Sequence, residues 1–470
     1  MICGFKQQGL DWVDHLVIGG GLSGLAAAYR ASQAGQHVRL IEASERVGGC
    51  IQTLAHEGGW LLEAGPHTFP STALALNALC QAVGCLPQPT QAAAHKRYVA
   101  HKGKLVAVPG SLWQGLTTPL LSVKAKAYLL AEPFRARFDA RQNPDPAISE
   151  WVAHRLGPEV LARFVAPFLS GVYAGDPAQL GIGSVLPGLL ELEQTHGSLV
   201  RGMINRQLEK IAPKSAQKTL KTDVKTAQKK PKYALLGFAN GMQTLTDALA
   251  NALPAKTMML GQGAAIITPV AQNESYCVQL ESGESIRARQ LTLAVPAFET
   301  ARLLAQCMPT EALEPLSSIP YAAVGVVHVR VPVAALQHAL DGFGFLVPKS
   351  ENTPLLGCIW ASALYPNRAP QGQALLSCFV GGVNHPEVNS NTDAALMALI
   401  LPALAQYLKA PETAFECLRV VRWSRAIPQY SPGHRHRVQQ LNQALVAAHP
   451  NIALVGNYLH GIALNACVQA

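Results

Sequence analysis

Three glycines near the start of the chain have the spacing of a phosphate-binding turn. Gly19, Gly21 and Gly24 follow a short apolar run, and an acidic residue, Glu42, stands 18 positions beyond the last of them. In this pattern the first glycine permits a tight turn, the second lets the backbone approach a pyrophosphate, and the third lets a helix pack closely on a strand. The carboxylate of Glu42 can accept hydrogen bonds from a ribose diol, which disfavours a cofactor with a 2′-phosphate. The chemistry expected here is the binding of a dinucleotide.

These residues need particular elements around them. Residues 14–18 have the length and apolar character of a strand, residues 25–34 form an alanine-rich helical run closed by Gly35, and residues 38–41 predict a second strand ending on Glu42. The N-terminus of the helix would present free N–H groups and a partial positive charge to phosphates. This strand, turn, helix and strand order favours a dinucleotide fingerprint over a glycine-rich turn that binds nothing.

A second signal separates FAD from NAD. Arg46, Gly48 and Gly49 follow Glu42 in a pattern that resembles the ExxxRxGG signature of FAD-dependent, amine-oxidase-like flavoproteins. By this resemblance Arg46 serves the phosphates, while Cys50 stands where that family often has a basic residue. The cofactor residues predicted in this first part of the chain are Gly19, Gly20, Gly21, Leu22, Ser23, Gly24, Glu42, Ala43, Arg46 and Gly49.

Composition limits the class of protein. A chain of 470 residues with 49% hydrophobic and 14% charged residues predicts a large globular enzyme of two or three lobes. We found no run of 18 apolar residues, so we expect no transmembrane helix, and residues 1–12 do not resemble a secretory signal. The ten cysteines are scattered without zinc-site spacing, which favours a reduced, cytoplasmic setting and no metal.

The positive charge of the chain is local. Residues 205–232 contain nine lysines and arginines and only two acidic residues. This segment accounts for most of the net charge of +9. We therefore expect no nucleic-acid partner. Residues 207–232 have almost no large apolar side chains, so we predict a basic mobile linker there. The alternative is a patch that docks on anionic lipid.

Further along, periodicity changes between helical and strand-like. Apolar spacing predicts a hairpin at 96–109 and helices at 123–138, 148–156, 158–168 and 188–206. It also predicts strands at 258–270, 276–281 and 285–294. An antiparallel sheet is expected from 324–331, 343–348, 355–362 and 374–380, followed by a helix at 392–407. A strand at 452–457 then enters a glycine-opened helix at 461–468. This last strand and helix, far from the first fingerprint, are what a flavin domain assembled from distant segments needs.

Ten blocks in order along nearly the whole chain resemble the oxygen-dependent protoporphyrinogen oxidase family. Beyond the glycine-rich turn, the blocks that carry this resemblance are GPHTF (65–69), KRYV (96–99), PFLSGVYAGDP (167–177), LLELEQTHGSL (189–199), GFANGMQTLTDAL (237–249), GFGFLVP (342–348), LYPNRAP (364–370), FVGG (379–382), RWSRAIPQYSPGH (422–434) and GNYLHGIALNACV (456–468). The SGVYAGDP and YPNRAP blocks are far more specific than the glycine pattern.

The resemblance implies an α/β fold with a Rossmann-like FAD-binding domain built from distant segments, an α+β substrate domain with an antiparallel sheet, and a helical domain that associates with membranes. We expect FAD-binding segments at 12–90, 233–300 and 421–470, a helical and substrate-pocket domain at 91–206, the linker at 207–232, and the substrate domain at 301–420.

The resemblance also implies further site residues. Those expected to lie against the flavin end of FAD are Gly65, Pro66, His67 and Thr68, and we expect His67 to be an ordered loop residue rather than an acid or base. Ala264 or Ala265 is expected to face the adenine. The flavin ring and pyrophosphate are expected to be lined by Gly456, Gly461, Ile462, Ala463 and Leu464, and Trp423 is also expected to contact FAD. For Trp423 and Tyr430 we prefer packing between two lobes to an aromatic cage. Arg97 matches an arginine that meets a substrate propionate, and Gly175 a turn over the pocket. Leu346 and Trp360 match apolar and aromatic groups that sandwich a macrocycle, although in isolation both residue types are more often core.

The family reaction removes six electrons from protoporphyrinogen IX in three two-electron steps, with non-covalent FAD as the hydride acceptor and O₂ as the oxidant. It implies no catalytic acid or base, and we assign no catalytic residue. An oxidase of coproporphyrinogen III with the same fold is the first alternative, and a non-catalytic flavin-fold or membrane scaffold is the second. A single arginine at the pocket favours the substrate with fewer carboxylates. A peripheral membrane contact and a homodimer are both compatible with the resemblance.

Overall fold

The computed structural model describes residues 11–110, 112–138, 145–203, 205, 233–270 and 275–469. The predicted linker at 207–232 lies outside these residues. The strands are β1 Asp11–Ile18, β2 Val38–Ile41, β3 Thr53–His56, β4 Trp60–Glu63, β5 Phe69–Pro70, β6 Gln88–Pro89, β7 Tyr98–His101, β8 Lys104–Ala107, β9 Leu235–Gly237, β10 Met258–Met259, β11 Ala264–Val270, β12 Ser275–Leu280, β13 Ser285–Leu293, β14 Tyr321–Pro332, β15 Gly344–Leu346, β16 Leu355–Trp360, β17 Gln373–Gly381, β18 Glu416–Pro428 and β19 Ile452–Leu454.

Helices connect and cover these strands. The α-helices are Leu22–Gln33, Leu74–Ala82, Leu112–Thr117, Val123–Leu130, Ile148–Arg155, Pro158–Val160, Ala166–Tyr173, Ile182–Val185, Pro187–His196, Gln243–Asn251, Ala297–Leu304, Thr310–Ser317, Ala361–Leu364, Asp393–Leu408, His434–Ala448 and Leu464–Cys467. A π-helical turn, Leu161–Val165, joins Pro158–Val160 to Ala166–Tyr173. Short 3₁₀ helices are Ala92–His95, Glu132–Phe134, Val333–Ala335, Lys349–Glu351, Pro366–Arg368, Pro386–Ser390 and Glu412–Ala414.

The first sheet is assembled from distant parts of the chain, as predicted. Its order is β10-β2-β1-β13-β12-β11, and β19 pairs with the second half of β13. The pairs β10–β2, β2–β1, β1–β13 and β13–β19 are parallel, while β12 and β11 add antiparallel strands. Ile18 is in register with both Ile41 and Leu293. The residues that follow β1, β2 and β13 therefore meet at one edge of the sheet.

Helices cover both faces of this sheet because its strands are apolar on both sides. Val17 packs with the helices Leu22–Gln33 and Gln243–Asn251, whereas Leu16 and Ile18 pack with Ala297–Leu304, Thr310–Ser317 and His434–Ala448. The sequence patterns did not predict these last three helices. The resulting doubly wound arrangement places ligand sites beyond the carboxyl ends of the parallel strands.

The second sheet has the order β18-β14-β17-β16-β15-β7-β8 and is antiparallel except where β15 meets β7. The predicted hairpin is present as β7 and β8, and it extends this sheet. The long strand β18 was not predicted, and it crosses residue 420, where the sequence suggested a domain limit. The helix Asp393–Leu408 covers one face of the sheet, and Thr392 caps its start by accepting a hydrogen bond from the N–H of Ala395 (3.2 Å).

The helical region is more broken than its periodicity suggested. The run predicted at 123–138 ends as an α-helix at Leu130, and the run predicted at 188–206 is interrupted by Gly197, whose φ is +72°. The terminal helix is corrected as well, because only Leu464–Cys467 is helical and Gly461 has a φ of +154°. No helix among the described residues has the length and apolarity needed to cross a membrane.

A fully buried charge network holds the helical region together. Arg155 forms ion pairs with Glu132 and with Glu193 (3.0 Å), and all three side chains are nearly inaccessible to solvent. Glu132 also accepts hydrogen bonds from Ser198 and from the N–H groups of Leu199 and Val200. Burial alone would raise the pKa of Glu132, but these hydrogen bonds and the charge of Arg155 lower it below its ordinary value.

Candidate functional site

The glycine turn has the geometry that its sequence predicted. Gly19 has a φ of +108°, and a Cβ atom at Gly24 would lie 1.9 Å from the carbonyl oxygen of Gly19. A side chain at residue 24 would therefore push the helix Leu22–Gln33 away from β1. At Gly21, by contrast, a Cβ would meet no heavy atom within 4 Å. Open space thus borders the N-terminus of this helix, where a pyrophosphate would bind.

Glu42 stands at the other side of this turn. Its carboxylate accepts hydrogen bonds from the N–H of Gly20 (2.7 Å) and from the N–H and hydroxyl of Ser44 (2.9 and 2.8 Å). The side chain is half-buried, and the neighbouring Ala43 is exposed. Glu42 is therefore held facing the turn by backbone donors, in a position that a ribose hydroxyl can share.

The second glycine loop closes on the first. Gly48 donates its N–H to the carbonyl of Gly20 (2.8 Å), and a Cβ at Gly49 would lie 3.3 Å from the Cα of Gly21. Arg46 was predicted to serve phosphates; in the structure its guanidinium donates to the carbonyls of Val47, Gly49 and Ile51. This places Arg46 as the residue that shapes the loop from inside.

Cys50 directly follows the second glycine loop. Its side chain is accessible to solvent, yet the protein around it raises the pKa of its thiol by desolvation. Near the end of the chain, burial raises the pKa of the Cys467 thiol, and the nearby Cys50 thiol raises it further.

The C-terminal segment returns to the first helix. The side chain of Asn465 accepts a hydrogen bond from the N–H of Leu76 (3.2 Å), and Arg30 donates to the carbonyl of Val468. Leu464 packs in the core beneath the glycine turn, while Ala463 is exposed. The predicted group Gly456, Gly461, Ile462, Ala463 and Leu464 directly precedes these contacts in the chain.

The predicted adenine contacts lie near Glu42. The N–H of Gln262 donates to the backbone carbonyl of Glu42 (2.9 Å), two residues before Ala264. The carbonyls of Ala264 and Ala265 accept hydrogen bonds from Arg302, at 2.8 Å each. Ala264 is buried in the core and Ala265 is half-buried.

Residues 65–68 lie between the second glycine loop and the second sheet. A Cβ at Gly65 would lie 2.2 Å from the carbonyl oxygen of Cys50, so this loop presses against the second glycine loop. Trp423, on β18, donates its indole N–H to the carbonyl of Ala64 (2.8 Å). Pro66 and Thr68 are half-buried, and His67 is buried. Trp423 thus ties the second sheet to the loop expected at the flavin end of the cofactor.

His67 belongs to a buried hydrogen-bond chain. Its Nδ1 faces the carbonyl of Gly65 (3.2 Å), so this nitrogen carries the proton and Nε2 accepts from the hydroxyl of Ser377 (3.0 Å). The Ser377 oxygen then accepts from Nδ1 of His328 (3.2 Å). Burial, followed by the nearby His328 and Arg368, lowers the pKa of His67 to about 3, so the ring stays neutral. This agrees with an ordered loop residue rather than an acid or base.

The buried pair Glu63 and Arg368 lies close to this chain. The two side chains are 2.9 Å apart, and Glu63 also accepts from the N–H of Met242 (2.9 Å). Burial raises the pKa of Glu63 although Arg368 acts in the opposite direction. Glu63, Arg368, Ser377 and His328 were not predicted as site residues from the sequence. A serine and a histidine inside the apolar strands β17 and β14 were the available signal, because buried polar groups need partners.

One face of the second sheet points toward the cofactor loop. Ser377 and Phe379 lie on that face, since Ser377 bonds His67 and the Phe379 ring lies 5.9 Å from the His67 ring. Leu346 pairs with Gly357, which pairs with Phe379, so Leu346 shares the face. A Cβ at Gly171 would lie 2.3 Å from Leu346, which shows that the helix Ala166–Tyr173 covers this end of the sheet.

Trp360 lies on the opposite face, which corrects its prediction as a wall of the substrate pocket. Its side chain is fully buried, with ring centroids 5.5 Å from Tyr98, 4.8 Å from His338 and 6.3 Å from Phe345. It belongs to the core under the helix Asp393–Leu408. In isolation the core was the more frequent place for such a residue, and here the structure agrees with it.

Arg97 and Gly175 have different environments. Arg97 is exposed, with its guanidinium 5.8 Å from the ring centre of Phe343, and no carboxylate within the described part of the chain forms an ion pair with it. Gly175 is buried, and a Cβ there would lie 2.4 Å from the side chain of Gln429. The structure therefore leaves Arg97 available to an anion and places Gly175 in a tight junction between the helical region and β18.

The chain belongs to the family described as flavin containing amine oxidoreductase, whose pattern matches residues 22–470. It is 32% identical to the chloroplastic protoporphyrinogen oxidase of Nicotiana tabacum, in a match that covers 97% of this chain and 84% of the tobacco protein. It is 27% identical to the coproporphyrinogen III oxidase of Bacillus subtilis (strain 168), over 97% of this chain and 95% of that protein.

Solved structures agree on the fold. A crystal structure from Exiguobacterium sp. 255-15, provisionally named protoporphyrinogen oxidase, superposes with a TM-score of 0.77 at 22% identity and covers 99% of this chain and 97% of that one. The family match confirms the predicted flavin, and the dinucleotide fingerprint identifies it as FAD. The space beside Gly21, the carboxylate of Glu42 and the exposed side chain of Cys50 fit this cofactor.

Proposed function

We propose that this protein is an FAD-dependent oxidase that converts protoporphyrinogen IX to protoporphyrin IX with O₂ as the electron acceptor. Whole-chain similarity to the tobacco enzyme at 32% identity supports this substrate class. The observation that carries the proposal is that Arg97 is an exposed cation beside the second sheet. One face of this sheet forms a hydrogen bond to the cofactor loop. A nearly apolar macrocycle with propionate groups needs such an anchor at the rim of an apolar slot.

Different residues bind the macrocycle and its propionate. The apolar side chains of Leu346 and Phe379 offer a surface for a flat macrocycle and exclude water from it. Arg97 binds a propionate through charged hydrogen bonds, which can be bidentate and therefore fix orientation. Bound FAD supplies the hydride acceptor and returns the electrons to O₂.

The buried chain from His67 fixes the loop at 65–68 and does not exchange protons near neutral pH. His67 can donate from one ring nitrogen and accept at the other only while its ring is neutral. Its pKa of about 3 keeps the ring neutral. Proton loss from the substrate is therefore assigned to no side chain, and we expect solvent to take the proton. Gly175 limits the space between the helical region and β18 and shapes the pocket from a distance.

A second candidate is the oxidation of coproporphyrinogen III, which carries two more carboxylates. It is favoured by the match to the Bacillus subtilis enzyme, which is nearly complete in both chains. Arg97, as the unpaired arginine at this rim in the described part of the chain, favours the dicarboxylate.

The test is direct. Purified holoprotein should be incubated with each porphyrinogen in air, and porphyrin fluorescence followed against autoxidation without protein. We expect faster product formation from protoporphyrinogen IX. A higher kcat/KM for coproporphyrinogen III would select the second candidate. A holoprotein that accelerates neither reaction would refute both and would favour a non-catalytic scaffold.

We also propose a peripheral contact with a membrane surface in the cytoplasm. Three large apolar side chains on one short stretch support it, since Val123, Leu130 and Phe134 are 83%, 63% and 85% exposed. Co-sedimentation with lipid vesicles should fall when Leu130 and Phe134 are both replaced by Ser. Unchanged co-sedimentation would refute this surface. Analytical ultracentrifugation of the same samples decides between a monomer and the homodimer that the family resemblance allows.

A further inference from the structure

Five side chains form a cluster on the side of the second sheet that faces away from the proposed pocket. We call Lys96, Tyr98, His338, Asp341 and Trp360 the backing cluster. Tyr98 donates its hydroxyl to Oδ1 of Asp341 (2.6 Å), and Lys96 forms an ion pair with Oδ2 of the same carboxylate. One carboxylate thus binds both residues that flank Arg97.

The cluster has a rigid apolar base. The buried Trp360 ring packs against Tyr98 (5.5 Å) and His338 (4.8 Å), and Tyr98 and His338 meet edge to face at 5.4 Å. Burial and then the bond to Asp341 raise the pKa of Tyr98 to about 12, so its hydroxyl remains a donor. The bonds from Lys96 and Tyr98 lower the pKa of Asp341, so its carboxylate remains charged.

Arg97 stands where the sheet ladder begins. β15 pairs with β7 only at Tyr98 and Val99, although the carbonyls of Lys96 and Arg97 still accept backbone hydrogen bonds from Phe343 and Val108, at 2.8 Å each. Successive side chains on an extended strand point to opposite sides. Because Asp341 holds Lys96 and Tyr98 on one side, Arg97 is turned to the other side, over the Phe343 ring.

We propose that Asp341 is a positioning residue that sets the affinity for a substrate carboxylate by fixing the direction of Arg97. This inference rests on the proposed function, in which Arg97 binds the propionate. It also assigns Trp360 a role at the pocket that does not require contact with the substrate, since Trp360 supports Tyr98 from below.

The kinetic test uses Asp341→Asn, which keeps the shape and removes the charge. The Lys96–Asp341 pair is partly exposed, and such pairs contribute little to stability, so the variant should fold and retain FAD. We expect KM for protoporphyrinogen IX to rise about fivefold, less than the roughly tenfold or more expected from losing a complete charged hydrogen bond. The value of kcat should change less than about twofold, because the reacting bridge lies away from the anchor.

A matched control removes an ion pair of the same kind elsewhere. Arg330 and Glu416 form a partly exposed pair on β14 and β18, at the other edge of the sheet from β7 and β8. Glu416→Gln should leave KM and kcat unchanged. If it raises KM as much as Asp341→Asn does, the effect belongs to the whole sheet and the positioning role is refuted.

A double-mutant cycle separates positioning from a general effect. Asp341→Asn should raise KM in the wild-type background and have no further effect in Arg97→Ala, because the direction of a missing arginine cannot matter. Equal effects in both backgrounds would overturn the proposal.

A binding measurement distinguishes failure of this inference from failure of the proposed function. Protoporphyrin IX and its dimethyl ester should be titrated into holoprotein, with tryptophan fluorescence as the signal. We expect Asp341→Asn to weaken binding of the diacid and not of the diester. If wild-type protein binds the two equally, Arg97 anchors no carboxylate and the proposed function loses its main support. If wild-type protein prefers the diacid and Asp341→Asn retains that preference in full, only the role of Asp341 is refuted.

Discussion

Replacing Glu42 by Ala should weaken FAD binding without unfolding the protein. In the structure the carboxylate accepts three hydrogen bonds, from the N–H of Gly20 (2.7 Å) and from the N–H and hydroxyl of Ser44 (2.9 and 2.8 Å). The side chain is half-buried, so water can replace these bonds when the carboxylate is removed. What the cofactor loses is one charged acceptor for its ribose.

The magnitude follows from this one lost hydrogen bond to the ribose. A hydrogen bond to a charged group contributes about 1.5–3 kcal/mol, which corresponds to an increase of ~10–150-fold in the Kd for FAD. Glu42→Gln keeps an acceptor oxygen and loses only the charge. Because neutral hydrogen bonds contribute about 0.5–1.5 kcal/mol, the Gln variant should lose roughly 1 kcal/mol, or about fivefold in Kd.

The assay is titration of apoprotein with FAD, followed by flavin fluorescence, with circular dichroism to check the fold. Glu45→Ala is the matched control, since Glu45 is an exposed carboxylate three residues further along the same loop. We expect the order of affinity to be wild type and Glu45→Ala, then Glu42→Gln, then Glu42→Ala. If Glu42→Ala binds FAD as tightly as Glu45→Ala does, the ribose assignment is wrong.

Three other predictions test the anchor, the core and the cofactor linkage. Arg97→Ala should raise KM for the porphyrinogen roughly tenfold or more with unchanged FAD content, and Arg97→Lys should recover part of the loss because it keeps the charge but not the planar fork; equal KM for wild type and Arg97→Ala would remove Arg97 from the site. Arg155→Ala should lower the free energy of unfolding by about 3–5 kcal/mol in urea titrations, because Glu132 and Glu193 stay buried without their partner. The pKa of Glu132 is lowered in the folded protein, so the charged carboxylate stabilises the fold above the ordinary pKa of a glutamate, and this stabilisation is lost as pH falls through the lowered value. Acid should therefore narrow the difference in free energy of unfolding between wild type and Arg155→Ala. A difference that stays constant down to the acid transition would contradict this. Acid precipitation should release all the flavin into the supernatant, and flavin retained in the pellet would show a covalent link instead.

The sequence by itself determined the cofactor-binding half of this protein. The spacing of Gly19, Gly21 and Gly24 and the position of Glu42 are local features, and their geometry follows from hard-sphere contacts over a few residues. The 1.9 Å approach at Gly24 expresses the same constraint that the spacing indicated. Assembly of the first sheet from β1, β2, β13 and β19 was also predictable, since each strand is a short apolar run that needs parallel neighbours.

Tertiary structure alone decided which residues lie on the face of the second sheet that contacts the cofactor loop. Five of the six residues of β16 are buried, on both faces of the sheet, so its apolar pattern could not show whether Trp360 points toward the cofactor loop or away from it. The positive φ of Gly344 (+143°) also interrupts alternation just before Leu346, which removes the register that sequence reasoning relies on.

Partners that are far apart in the chain were likewise beyond the sequence. Arg155 meets Glu132 and Glu193 across 23 and 38 positions, and His67 reaches Ser377 across 310. No local pattern encodes such pairs, because their energy comes from shared burial that exists only after the sheets and helices have packed. The sequence therefore set the chemistry at the glycine turns. Packing decided that Arg97 has no ion-pair partner within the described part of the chain, and that Trp360 packs against Tyr98, the residue next to Arg97.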